Sequence, residues 1–123
     1  MVAFSHAAFA DFLAANDDSA VVMLNLLRFE PDGGRERHLE YLKMAEPILD
    51  RFGAKILFRG DGLPVLTDGE VKEWDALLLV QYPQRSAFKA MVDDPDYQEA
   101  FRIGKSALLD IVLQPLKHSA PLL

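Results

Sequence analysis

The stretch "AVVMLNLLRF", residues 20–29, is apolar except for Asn25 at its centre and Arg28 near its end. It is short for a helix and rich in Val and Leu. Pro31 and the Gly33–Gly34 pair follow it closely, so it reads as a strand. Strand alternation puts Met23, Asn25 and Leu27 on one face and Leu24, Leu26 and Arg28 on the other. Both faces are apolar, so both need cover.

The segments on either side supply cover for one face. Upstream, Ser5 caps a predicted helix over residues 6–15 with Phe9, Phe12 and Leu13 as its stripe, and "NDDS" ends it. Downstream, residues 35–52 carry His38, Tyr41, Leu42, Ala45, Ile48, Leu49 and Phe52 at helical spacing. Gly53 suits the C-cap of this helix, and Pro47 inside it predicts a kink. Residues 54–59 form a second predicted strand, stopped by "GDG", with "LPVL" extending or following it. "TDGEVKE" is a polar loop, and "WDALLLVQY", residues 74–82, is a third strand ended by Pro83. A helix then starts near Arg85, with Ala87, Phe88, Met91 and Val92 as its apolar stripe. Asp94 caps a further helix whose first residue is Pro95, and this helix is expected to carry Tyr97, Phe101 and Leu108. Gly104 weakens it. "DIVLQPL", residues 110–116, is the last strand, and Pro115 places it at an edge or ends it early.

Without the first helix the order is β-α-β-β-α-β. That order predicts an α+β ferredoxin-like plait, a four-stranded antiparallel sheet with helices on one face. Residues 1–123 make one domain, with residues 1–19 as an N-terminal helical extension. The other sheet face is apolar in "VVMLNLL" and "ALLLV", and an identical chain packed sheet to sheet is the expected cover, giving a homodimer.

Bulk properties narrow the partners. The formal net charge is −6 and there is no cysteine. An acidic surface repels phosphate backbones and anionic lipid, so neither nucleic acid nor membrane is expected as a partner. Thiol catalysis, disulfides and cysteine-ligated metals are excluded. Asp11 interrupts the early apolar run and no basic residue precedes it, unlike a signal peptide, so a cytoplasmic protein is expected.

Several blocks together resemble a known family: Asn25 in the first strand, Tyr41 followed by "AEPIL", "FGAKIL", "FRGDG", "YPQRSAF" and "DDPDYQEAFR". The chain is similar over roughly residues 20–105 to the domain of unknown function 1330 family, within the dimeric α+β barrel superfamily. The most specific block is the aromatic-Pro, the helix after it, then Asp-Pro-Asp-Tyr and Arg102. The resemblance implies a dimeric ferredoxin-like barrel. Relatives in the superfamily include cofactor-independent monooxygenases, haem-degrading enzymes, lactone isomerases and stress-response proteins. This chain departs from the family in its N-terminal helix, and in having His38 where an aromatic residue often precedes the helix tyrosine. The haem-degrading relatives carry a histidine on the second helix. Here that helix reads "RSAFKAMV", so no haem is expected; nor, separately, is any other cofactor or a metal.

The candidate site residues have two readings each. Asn25 is either a hydrogen-bond node for neighbouring backbone or a pocket-lining amide, and the resemblance favours the pocket. Tyr41 and His38 lie one turn apart on the sheet-facing side of their helix. Tyr41 suits core packing with a bonded hydroxyl, and a buried His38 is the best general base in the chain. Arg28, Arg59 and Arg102 sit near element ends. They either pair with carboxylates such as Asp75 or Glu46, or clamp an anionic ligand to which Tyr97 adds a hydroxyl. "SAFK", "RGD" at 59–61 and the acidic pairs Asp17–Asp18 and Asp93–Asp94 read as ordinary surface or turn features. The function expected is small-molecule binding, with a small organic acid as the candidate ligand. The chain is then either a cofactor-independent enzyme on a small carboxylated or enolisable compound, or a non-catalytic binding or stress-related module.

Overall fold

The computed structural model describes residues 4–70 and 73–119. The elements are α1 (His6–Ala14), β1 (Val21–Phe29), α2 (Gly34–Arg51), β2 (Lys55–Asp61), β3 (Ala76–Tyr82), α3 (Arg85–Asp93), α4 (Pro95–Ser106) and β4 (Leu108–Leu116). The strands form one antiparallel sheet in the order β2-β3-β1-β4. This is the ferredoxin-like α+β plait that the element order predicts.

Local chemistry sets most element ends. Ser5 Oγ accepts the Ala8 N–H at the start of α1. Asp94 caps α4 by accepting from the N–H groups of Asp96 and Tyr97, with Pro95 following as the first helical residue. Helix α2 runs through Pro47 without a break. It ends in a Schellman motif, in which Gly53 N–H bonds Asp50 O and Ala54 N–H bonds Leu49 O. Gly53 has φ 73°, a left-handed conformation that suits glycine.

Two expectations differ. Leu108 begins β4 instead of extending α4, because it pairs with Phe29 and is buried with Leu27, Phe29 and Ala76. Strand β2 runs on through Gly60 to Asp61, past the expected stop after Arg59, and residues 63–66 follow it as exposed loop. Pro115 does lie on an edge strand, opposite Met23.

The main core fills the space between the sheet and the helices. Val21, Met23, Leu78, Val80 and Tyr82 meet Leu42, Ile48 and Leu49 of α2 and Phe88 and Met91 of α3. Register assigns Leu24, Leu26, Leu77, Leu79, Val112 and Leu116 to the opposite face. That face is largely apolar, and no helix of the described residues lies on it.

Candidate functional site

At one end of the sheet a cleft of about 160 Å³ opens between α2 and strands β1, β2 and β3. Its apolar wall includes Leu27, Phe29, Ala76 and Leu78. Its polar wall is Arg35, His38, Arg59 and Asp61. The Gly33–Gly34 turn swings the chain from β1 into α2. A side chain at Gly34 would strike the Ala107 carbonyl at 2.7 Å, so glycine lets the start of α2 seat close to β1 and β4. His38 follows one turn later and faces the sheet. Arg59 arrives by a different device. The β2–β3 register shifts between Ile56 and Phe58. In unbroken alternation, Ile56 on the helix side would put Arg59 on the opposite face. The extra residue, Leu57, reverses this and turns Arg59 into the cleft.

His38 is 8 % exposed, and its ring lies 5.0 Å from that of Phe29 and 5.9 Å from that of Tyr41. Burial, and then the nearby Arg59 and Arg35 guanidiniums, lower its pKa to about 4. The imidazole is therefore neutral at pH 7. Arg35 is engaged: its Nη1 donates to Asp61 Oδ1 at 2.8 Å, and its guanidinium lies 4.9 Å from the Phe29 ring centre. Among the described residues, Arg59 has no hydrogen bond or ion pair, and neither His38 ring nitrogen has a hydrogen-bond partner. The cleft thus presents one uncommitted cation beside one uncommitted neutral imidazole, against an apolar wall. Such a wall can hold the body of a small molecule while the guanidinium takes a carboxylate.

The other candidate residues lie elsewhere. Tyr41 and Tyr97 share a hydrogen bond of 2.8 Å between their hydroxyls. Burial raises both phenol pKa values, so both remain neutral. The pair packs behind His38 and is not in the cleft wall. Asn25 donates its amide to Leu78 O at 3.3 Å and Met23 O at 3.4 Å, so its amide serves backbone. Arg28 is on the helix-free face, opposite Asp110 of β4. Arg102 is exposed and bonded to Glu99 at 2.6 Å. Asp75, expected as an arginine partner, instead accepts the Phe29 N–H at 2.8 Å. Only His38 and Arg59 of the predicted set meet in the cleft.

Arg35 and Asp61 complete that wall and were not singled out from sequence. Arg35 lies three residues before His38, a spacing that places both on one side of α2. Asp61 was visible only within "RGD". Among the described residues, no three His, Asp or Glu side chains gather as metal ligands. No helix among them is long and apolar enough to cross a membrane.

A family model described as Domain of unknown function (DUF1330) matches residues 34–113. The match takes in His38 and Arg59 and leaves out α1 and β1, with Asn25 and Arg28. A protein of unknown function from Rhodopseudomonas palustris, solved in methylated form, is 31% identical with a TM-score of 0.87, covering 98% of this chain and 96% of that one. A dimeric ferredoxin-like protein of unknown function from Jannaschia sp. CCS1 is 15% identical with a TM-score of 0.63, over 81% of this chain and 100% of that one. A hydroxynitrile lyase from Passiflora edulis is 10% identical with a TM-score of 0.65, over 85% and 99%. No curated protein matches the chain in sequence.

Proposed function

Since the chain belongs to the DUF1330 family, whose description assigns no activity, we propose its function from the cleft: it binds a small organic carboxylate between α2 and the end of the sheet. The observation that carries this reading is the unpaired Arg59 guanidinium beside the unbonded, neutral His38. A carboxylate on Arg59 supplies the missing counter-charge, and the ligand's carbon body lies along Leu27, Phe29 and Leu78. A bound anion also offsets the guanidinium field at His38 and raises its proton affinity. An enolisable ligand would then place an acidic C–H beside a base that binding itself strengthens. The hydroxynitrile lyase gives the fold a precedent for chemistry, although fold alone assigns none.

The His38 pKa of about 4 favours a second reading, non-catalytic binding, because a working base is best poised near the operating pH. Calorimetric titration with acetoacetate and benzoate at pH 7 tests the site. Arg59→Ala should weaken binding by about 10- to 100-fold, the worth of one charge-assisted hydrogen bond. Equal affinity in the variant, or no binding by the native protein, removes the proposal. Deuterium exchange into bound acetoacetate, read by NMR, separates the enzyme from the binder.

The helix-free sheet face supports a homodimer, the state named for the Jannaschia protein. Burying Leu24, Leu26, Leu77 and Leu79 against a second copy removes apolar area from water. Sedimentation at micromolar concentration should give about twice the 13.8 kDa chain mass, and Leu79→Lys should reduce it to one chain. A native protein that sediments as a single chain would refute the assembly.

A further inference from the structure

A second hollow lies on the helix side of the sheet, away from the cleft. It is a groove of about 210 Å³ between α1 and the edge formed by β1 and β4. Phe4, Phe9, Phe12 and Phe88 line one side, and Met23 and Leu113 lie on the sheet side. The rings meet one another: Phe9 is 6.0 Å from Phe88 and 6.2 Å from Phe4, and Phe12 is 6.1 Å from Phe88. Among the described residues, the wall carries no charged side chain.

Helix α1 covers the groove and is fastened at both ends. None of its residues is buried. Around its C-terminus the fastening is polar. Arg85 donates to the Phe12 carbonyl at 2.9 Å and lies 3.7 Å from Asp17, while Asp18 accepts from Ser86 N–H and Oγ, each at 2.9 Å. Lys117 adds a 3.1 Å bond to Asp17. At the opposite end, Phe4 is held by ring contacts with Phe9 and Phe101.

We propose that the groove under α1 is a binding site for a small, uncharged ring compound bearing a single hydroxyl or carbonyl oxygen. Neutrality follows from the wall, since an ion there would lose its hydration with no counter-charge. Size follows from the volume. A dry apolar cavity of about 150 Å³ takes benzene, so this larger groove takes a substituted ring. The oxygen follows from Ser5, a wall residue whose Oγ accepts the Ala8 N–H, leaving its own hydrogen to donate. The helical cover makes the guest a small molecule: a second copy or a peptide reaches the groove only by displacing α1. This site is independent of the carboxylate cleft, with which it shares no wall residue.

The test uses para-cresol, uncharged at pH 7, and para-toluate, its charged counterpart of similar shape. NMR titration of the full chain should show saturable one-to-one cresol binding, with shifts confined to residues around Phe9, Phe88 and Leu113. Ala8→Phe, which fills the groove from α1, should weaken binding at least tenfold, and Leu113→Phe should do so from the sheet side. Arg59→Ala should leave cresol affinity unchanged. If far-ultraviolet dichroism shows that one filled variant has lost its fold, the other decides. Absent or non-saturable cresol binding overturns the proposal, as does binding that survives in a folded filled variant. Loss of cresol binding in Arg59→Ala would place the guest in the cleft, and affinity that falls as protein concentration rises would give the groove to a second copy. Either result also overturns it.

Discussion

Between pH 7 and pH 4.5 the native protein should lose of the order of 2–3 kcal/mol of stability that a His38→Leu variant does not lose. Folding lowers the His38 pKa from 6.5 to about 4. Below pH 6.5 the unfolded chain takes up a proton at this position, and the folded chain does not until about pH 4. The contribution is therefore fully present above pH 6.5 and is lost as pH falls towards 4. The full shift would correspond to roughly 3 kcal/mol, reduced where solvent reaches the cleft. Carboxylates titrate in the lower part of this window in both proteins, so the difference between the two pH profiles isolates the histidine. Urea midpoints at half-unit pH steps give that difference. Parallel profiles from pH 7 to 4.5 would refute the shifted imidazole. An Arg59→Ala variant should move the His38 ring resonances to a higher titration midpoint, because it removes the larger of the two guanidinium effects.

Replacing Gly104 by valine should cost at least about 3 kcal/mol. A Cβ at this position in α4 would lie 2.6 Å from Cδ1 and 2.9 Å from Cγ of Tyr41. The ring has little freedom to withdraw. Its hydroxyl is bonded to Tyr97 at 2.8 Å, and its face stacks on His38 at 5.9 Å. Valine raises helix propensity over glycine by a few tenths of a kcal/mol, far less than the overpacking opposes. Thus the residue that weakens α4 as an isolated helix strengthens its docking on α2. Urea denaturation measures the loss, and Tyr41→Leu in the valine background should recover part of it as a coupling between contacting residues. A valine variant within about 1 kcal/mol of the native protein would show that α2 and α4 separate easily here.

The fold was largely readable because its signals are local. The apolar alternation of β1, the helical spacing from His38 to Leu49 and the Asp94–Pro95 cap each act within a few residues. Leu108 was misread because its place is decided by Phe29, its partner across the β1–β4 register. The candidate cleft was only half readable, for a similar reason. His38 was visible from helical periodicity, but the side on which Arg59 lies depends on a bulge that pattern counting does not reveal. The Arg35–Asp61 pair joins α2 to the end of β2. Asn25 attracts attention as a polar residue in an apolar strand, yet that alone does not distinguish an amide bonded to backbone from one facing a ligand.

The bulge at Leu57 lets one sequence carry either of two sites. With every residue of the cleft wall preserved, a β2 that paired without the bulge would set Arg59 opposite Leu77 and turn it to the helix-free side of the sheet. The molecule would have lost the guanidinium from its cleft and gained a charge on an apolar surface, and an alignment scored on identities would record no change. Loss of one residue before Phe58 does the opposite: Ile56 and Arg59 would stand two positions apart, and unbroken alternation would keep both on the helix side. Among relatives, a one-residue gap between Gly53 and Arg59 is therefore compatible with this site, whereas equal length alone does not assure it.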